Sequence, residues 1–323
     1  MKLETEAEIH PLLVQDYALY TKPIDEMYQQ IEQWIDSRVT GAYVYGLSRT
    51  GKTKAVTEWF PNLLRENYRD RIAIFRCIYQ RQDKPSQRKF AQSLAQSLDH
   101  NFPTSMSSND LEWRVGSYLT VRGLQTKLRQ VVLFVDEAQY LREAEFHSLC
   151  NIQNIAAAGS VRLSVISIGT QQLQQQSQVF ILGNNTHLST RFFGYQARFR
   201  GIRSATELAH VLDGFDTQTD WPADSGISYT HYFFPGAFQG GFRFANHAET
   251  LWSTYLELAP LSIREKLEVP MEYVVAPIES VCRSLATERP DFTLGLSDVQ
   301  KAVKQTSYFT VMRGFMRAGV GGR

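Results

Sequence analysis

Gly46, Gly51, Lys52 and Thr53 stand at the spacing G-x-x-x-x-G-K-T in "GLSRTGKT", directly after the apolar run "AYVY". This set of residue types suits a ligand with several anionic oxygens. Glycine admits backbone conformations that a side chain blocks, so successive N–H groups can turn inward on the anion. The lysine neutralises charge, and a helix starting at this point adds the positive end of its dipole. The ligand expected is ATP, held by Gly46, Ser48, Arg49, Thr50, Gly51, Lys52 and Thr53, with the Thr53 hydroxyl on Mg²⁺. The alternative is an ordinary surface turn of small polar residues.

A pair of carboxylates points the same way. "VVLFVDE" sets Asp136 and Glu137 behind five apolar residues. In this pattern Asp136 holds the metal through water, and Glu137 orients and deprotonates the attacking water. The other reading is an acidic turn after a buried strand. "VISIGT" resembles the sensor strand that AAA+ ATPases place between their two nucleotide strands. Its Thr170 either contacts the γ-phosphate or the water, or it is the N-cap of the helix "QQLQQQSQVF". The segment 189–203 carries Arg191, Arg198, Arg200 and Arg203. Arg191 is expected to enter a neighbouring subunit's site, with Arg198 second, against the alternative of a solvated basic surface. Arg243, in "QGGFRFANHAE", sits near a helix start, where a bound phosphate would give a cation a reason to be.

These residues need a scaffold. Tyr43–Tyr45, "RIAIFRCIY" (71–79), "VVLFVDEAQYL" (131–141) and "RLSVISIGT" (162–170) read as strands. Between them lie helical patterns: "KTKAVTEWF" with a stop at Pro61, "SQRKFAQSLAQSL" (86–98), "DLEWRVGSYLTVRGLQTKL" and "EAEFHSLCNIQNIAAAG". Strand and helix alternating at this spacing predict an α/β fold, a parallel sheet between helices. Beyond residue 204 helices dominate, in "ATELAHVLDGF", "FANHAETLWSTYLEL" and "PIESVCRSLATE". The expected organisation is a loose arm (1–22), an α/β core (23–203), a helical lid (204–305) and a mobile tail (306–323). An aromatic insertion at 216–238 is read as local core, with a partner-docking surface as the alternative.

Composition narrows the class. The chain has 323 residues, 43% hydrophobic and 21% charged, with a net charge of +1. Nothing there argues for nucleic acid as a global field, so any DNA contact is expected to be a local patch. Three scattered cysteines and seven histidines show no metal-binding spacing. No apolar run reaches the ~18 residues of a membrane span. Together with the acidic "MKLETEAEIHPLL", this predicts a cytoplasmic protein with no membrane contact.

"GLSRTGKT" together with "VVLFVDEAQYL", "VISIGT", "TRF…ARF" and "GGFRF" resembles the TnsC/TniB/MuB family of AAA+ transposition regulators, over roughly residues 24–258. The nucleotide motifs speak for AAA+ ATPases at large, and "SRTGKT" and "DEAQYL" for this branch. The resemblance implies a P-loop AAA+ core with a helical lid, and an ATPase that assembles as a ring or helical filament on double-stranded DNA. It implies partners too: a TnsB-like DDE transposase and a TniQ-like target-selection adaptor, in some members with a CRISPR guide. In such relatives DNA contacts come from the segment after the second strand, here "YQRQDKPSQRKF". That assigns Arg81, Lys84, Arg88 and Lys89 to DNA phosphates, with Thr104 nearby; a solvated helix start suits each of them equally well. Two further readings stay open. An Orc/STAND-like signalling or defence switch uses the same motifs, whereas a small-molecule kinase is disfavoured by Glu137 and the arginines.

Overall fold

The computed structural model describes residues 9–98, 106–183, 185–285 and 295–310. Thr104 and positions 311–323 of the expected tail lie outside the described residues. The chain divides into two compact units. One comprises 24–48 and 52–199, the other 1–23, 49–51 and 200–323.

The first unit is built on five strands: β1 (Gly41–Gly46), β2 (Ala73–Ile78), β3 (Gln130–Asp136), β4 (Arg162–Thr170) and β5 (Gln196–Arg198). They pair in parallel in the order β2-β3-β4-β1-β5, flanked by helices. The α/β expectation holds, and β4 lies between β3 and β1, as the sensor-strand reading requires. Val131–Val135 of β3 are fully buried. A strand covered on both faces reads as an unbroken apolar run, and each such side chain contributes roughly 1.5–3 kcal/mol. Register aligns Gly46 with Thr170 and Ile78 with Asp136, so the carboxyl ends of the central strands lie side by side. Ligands of parallel α/β sheets bind at this edge.

Pro61 does not stop the helix that follows the glycine-rich loop. After Lys52–Lys54 the ladder widens into a π turn, Ala55–Trp59, in which the Phe60 N–H donates to Ala55 O. Pro61 then falls in the first turn of Phe60–Tyr68, where no N–H is needed.

The second unit is helical, with Ala205–Asp213, Ala248–Leu258, Met271–Leu285 and Leu296–Gln305 around a core that includes Val211, Phe215, Phe244, Ile278 and Val303. The helical pattern "PIESVCRSLATE" begins at Pro277, whereas the helix runs Met271–Leu285 with Pro277 inside it. An internal proline strands the carbonyl four residues earlier. That carbonyl, Tyr273 O, accepts the buried Tyr255 hydroxyl at 2.7 Å, which removes the reason for a break.

The expected loose arm is docked over its described part. Leu12 and Leu19 enter the core, Tyr17 and Gln15 each donate to Glu279 at 2.7 Å, and His10 packs against Trp221, Tyr229, Tyr232 and Phe233. The aromatic segment 216–238 is thus local core, with Tyr229 and Phe234 buried. Buried Asp216 anchors it, accepting from Phe244 N at 3.1 Å, Ala245 N at 2.9 Å and the Thr230 hydroxyl at 2.6 Å. It caps a helix start whose own N-cap, Arg243, makes no side-chain cap. Asp216→Ala leaves three donors unmet and is expected to destabilise this unit by about 2–4 kcal/mol, read as a lowered midpoint in urea.

Candidate nucleotide site

The site grows from the ends of β1, β3 and β4. Gly46 closes β1 with no room for a side chain, because a Cβ there would lie 2.1 Å from Phe199 O. Its glycine is therefore required by the approach of the chain just beyond β5 as much as by any ligand. Arg49 and Gly51 both take positive φ, 69° and 95°, and the helix begins at Lys52. This is the strand, glycine-rich turn and helix start that the motif demands.

Lys52 is buried, and its ammonium donates to Leu47 O at 2.6 Å and Gly46 O at 3.3 Å. Burial pushes its pKa down to about 8, against the pull of Asp136 and Glu137, which favour the charged form. The sign follows directly. Bound phosphate favours the ammonium, so above about pH 8 binding must take up a proton, and affinity must fall as pH rises. Calorimetry of ATP binding at pH 8.5, in buffers of different ionisation enthalpy, is expected to show proton uptake that is near zero at pH 6.5.

Asp136 is buried at the end of β3. Its Oδ1 accepts the Glu137 N–H at 2.9 Å, while Oδ2 is buried with no protein partner. Glu137 turns the chain in the left-handed region, φ 58°, ψ 29°, a conformation disfavoured by roughly 1–2 kcal/mol for a residue with a Cβ. Thr170, paired with Gly46, also carries a buried hydroxyl without a protein partner. It stands at the N-cap position of Gln171–Leu182 but makes no side-chain cap, which removes the bland reading of its hydroxyl. Two orphaned buried oxygens at one sheet edge are unfavourable unless an outside group completes them. A carboxylate oxygen and a hydroxyl are the hard donors that Mg²⁺ and its water shell take, so the residues present fit nucleotide and metal.

Gln139 was not singled out in the sequence. It is buried, and its amide donates to Glu137 Oε2 at 2.5 Å while its oxygen accepts the Thr170 N–H at 3.1 Å. The only local signal is its place two residues after the carboxylate pair.

The arginines divide. Arg191, on Thr186–Phe192, donates to Asn154 Oδ1 at 2.9 Å and Cys150 O at 3.3 Å. Its own carbonyl accepts the Thr40 hydroxyl at 3.3 Å, so it sits at the amino end of β1, away from Gly46. Arg198 ends β5 and is exposed. Arg200 is an internal tie, with both terminal nitrogens 2.7 Å from Glu207. Arg203 pairs with buried Glu268 at 2.9 Å but stays exposed, so of the two only Arg200 is withdrawn from a solvated basic surface. In the second unit Arg243 donates to Phe242 O at 2.6 Å and Phe238 O at 2.9 Å and lies 3.3 Å from the centre of the Phe238 ring. Arg49 pairs with Glu272 within that same unit.

Arg81, Lys84, Arg88 and Lys89 are all exposed, across the loop after β2 and the first turn of Gln87–Ser97, which Ser86 caps through Lys89 N. No metal-binding group of histidine, cysteine or acidic residues occurs among the described residues, and no described helix is long and apolar enough to cross a membrane.

A family model described as an AAA domain matches residues 19–176. Among solved structures, the ORC2 protein of Aeropyrum pernix in its ADPNP–ADP complexes aligns with a TM-score of 0.56 at 11% identity, over 92% of this chain and 71% of that one. A Walker-type ATPase of Pyrococcus abyssi aligns with a TM-score of 0.53 at 15% identity, over 96% and 78%. No curated protein matches in sequence. The fold is that of the P-loop AAA+ ATPases.

Proposed function

We propose that this chain is an ATP-hydrolysing, DNA-binding regulator of DNA transposition that assembles on duplex DNA, marks a target and recruits a transposase, with hydrolysis driving disassembly. The observation that carries the ATPase is the juxtaposition of buried Lys52, the orphaned oxygens of Asp136 and Thr170, and Glu137 at one sheet edge. In this reading Lys52 holds the β and γ phosphates, and Asp136 and Thr53 hold Mg²⁺. Magnesium supplies charge neutralisation on the phosphates. Glu137 accepts the proton of the attacking water at its carboxylate, and Thr170 orients that water or the γ-phosphate. Arg243 is a candidate for a second sensing cation.

The DNA surface is assigned to Arg81, Lys84, Arg88 and Lys89, four exposed cations on one short stretch. Neutralising one phosphate contributes about one unit to the slope of log K against log salt. Arg88→Ala/Lys89→Ala is therefore expected to lower that slope by about 2 and to weaken all duplex sequences alike. An unchanged slope removes these residues from the interface.

Transposition, with a TnsB-like transposase and a TniQ-like adaptor as partners, rests on "SRTGKT" and "DEAQYL" and their resemblance. The second reading, an Orc-type switch, draws on the ORC2 likeness, which concerns the fold. The test is co-sedimentation of the chain, ATP and duplex DNA with a transposase encoded beside it. ATP-dependent retention supports the transposition reading; a lack of any such neighbour or retention favours the switch.

A further inference from the structure

We propose that Gln139 is the positioning residue for hydrolysis, its amide tying the Glu137 carboxylate to the end of β4. This rests on the ATPase reading above. The geometry fixes the orientation of the amide. The Thr170 backbone N–H can only donate, so the atom 3.1 Å from it is Oε1, and the amide nitrogen therefore faces Glu137 Oε2 at 2.5 Å. Glu137 takes a left-handed conformation, and its carboxylate hangs on two methylenes about which it can rotate. A single buried amide holds it to a neighbouring strand instead of leaving it to rotate.

The fold is shaped around this bridge. Gly169 lies inside β4, where strands favour branched residues. A Cβ there would fall 2.5 Å from Gln139 Oε1 and 3.2 Å from Gln139 N. The glycine of "SIGT" thus leaves the seat in which the amide lies. Thr170, whose N–H the amide accepts, also carries the buried unpartnered hydroxyl. Gln139 therefore joins the base to the residue that borders the γ-phosphate region, and displacement at one is passed to the other through two hydrogen bonds.

A misplaced base slows the chemical step while leaving ground-state binding alone. The test measures ATP Kd, KM and kcat on the full chain with Mg²⁺ and duplex DNA. Gln139→Met removes both hydrogen bonds at similar volume. Gln139→Glu keeps the acceptor for Thr170 and sets a second carboxylate against Glu137. Gly169→Ala fills the seat without touching either partner. All three are expected to lower kcat by about 10–100-fold, with ATP Kd and KM within about twofold of wild type. A merely structural residue predicts instead lower thermal stability with kcat and KM changing together. Gln139→Glu is isosteric but buries a like charge, so circular dichroism and the thermal midpoint of each variant separate loss of folding from loss of the chemical step. Wild-type kcat in folded Gln139→Glu and Gly169→Ala, beside an active wild type, overturns the role of Gln139 alone. No turnover by the wild type itself overturns the ATPase reading and this role with it.

Discussion

Glu137→Gln is expected to bind ATP as tightly as the wild type and to hydrolyse it about 10²–10⁴-fold more slowly, the usual contribution of a general base. Glutamine keeps the size of the side chain and its left-handed turn, held by the Asp136 Oδ1 bond to its N–H, but cannot take a proton from water. Lys52→Ala is expected to fail one step earlier. It removes the only lysine whose ammonium lies on the loop carbonyls Gly46 O and Leu47 O among the described residues. Binding should then be lost along with turnover. Fluorescent-nucleotide titration separates the two variants before any rate is measured. Unaltered turnover in Glu137→Gln would remove the base assignment, and unaltered binding in Lys52→Ala would remove the phosphate cradle.

Arg191→Ala is expected to reduce hydrolysis by about 10³-fold or more while its own loop still binds ATP. The geometry sharpens this expectation. Arg191 borders the amino end of β1, and the six-residue strand, at ~3.3 Å per residue, sets it roughly 16 Å from Gly46. It cannot assist its own nucleotide, so any catalytic effect must be exerted on a second copy. Mixing Arg191→Ala with Lys52→Ala should then restore part of the activity, because a mixed interface pairs an intact arginine with an intact loop. A surface arginine predicts little loss and no rescue. In that event Arg198 is the remaining candidate, since Arg200 is held bidentately by Glu207 and its substitution would test stability first. Electron microscopy with ATP and duplex DNA gives a parallel check, with rings or filaments expected and a strict monomer fatal to the trans role.

Much of this architecture was legible in residues 46–53, 131–137 and 162–170. Their information is local. A buried parallel strand must be apolar throughout, a phosphate turn needs glycines and a lysine at set spacing, and both requirements are met by neighbours in the chain. That the sheet is parallel followed from alternation with helices, whereas the order β2-β3-β4-β1-β5 is a matter of tertiary pairing. Local rules also produced the errors. Pro61 reads as a stop because a proline withdraws one N–H, and nothing nearby announces the π turn that makes good the loss.

Residue types and spacing by themselves pointed to a candidate phosphate loop, a candidate metal carboxylate and a candidate base, and to the strands that carry them. Tertiary structure decided what each of these touches. Gln139 reaches Thr170 across 31 positions, Asp216 caps a helix 28 and 29 positions away, and Arg203 turns to Glu268 across 65. Buried polar groups must find partners wherever the fold brings one within about 3 Å, and neither composition nor periodicity encodes that distance.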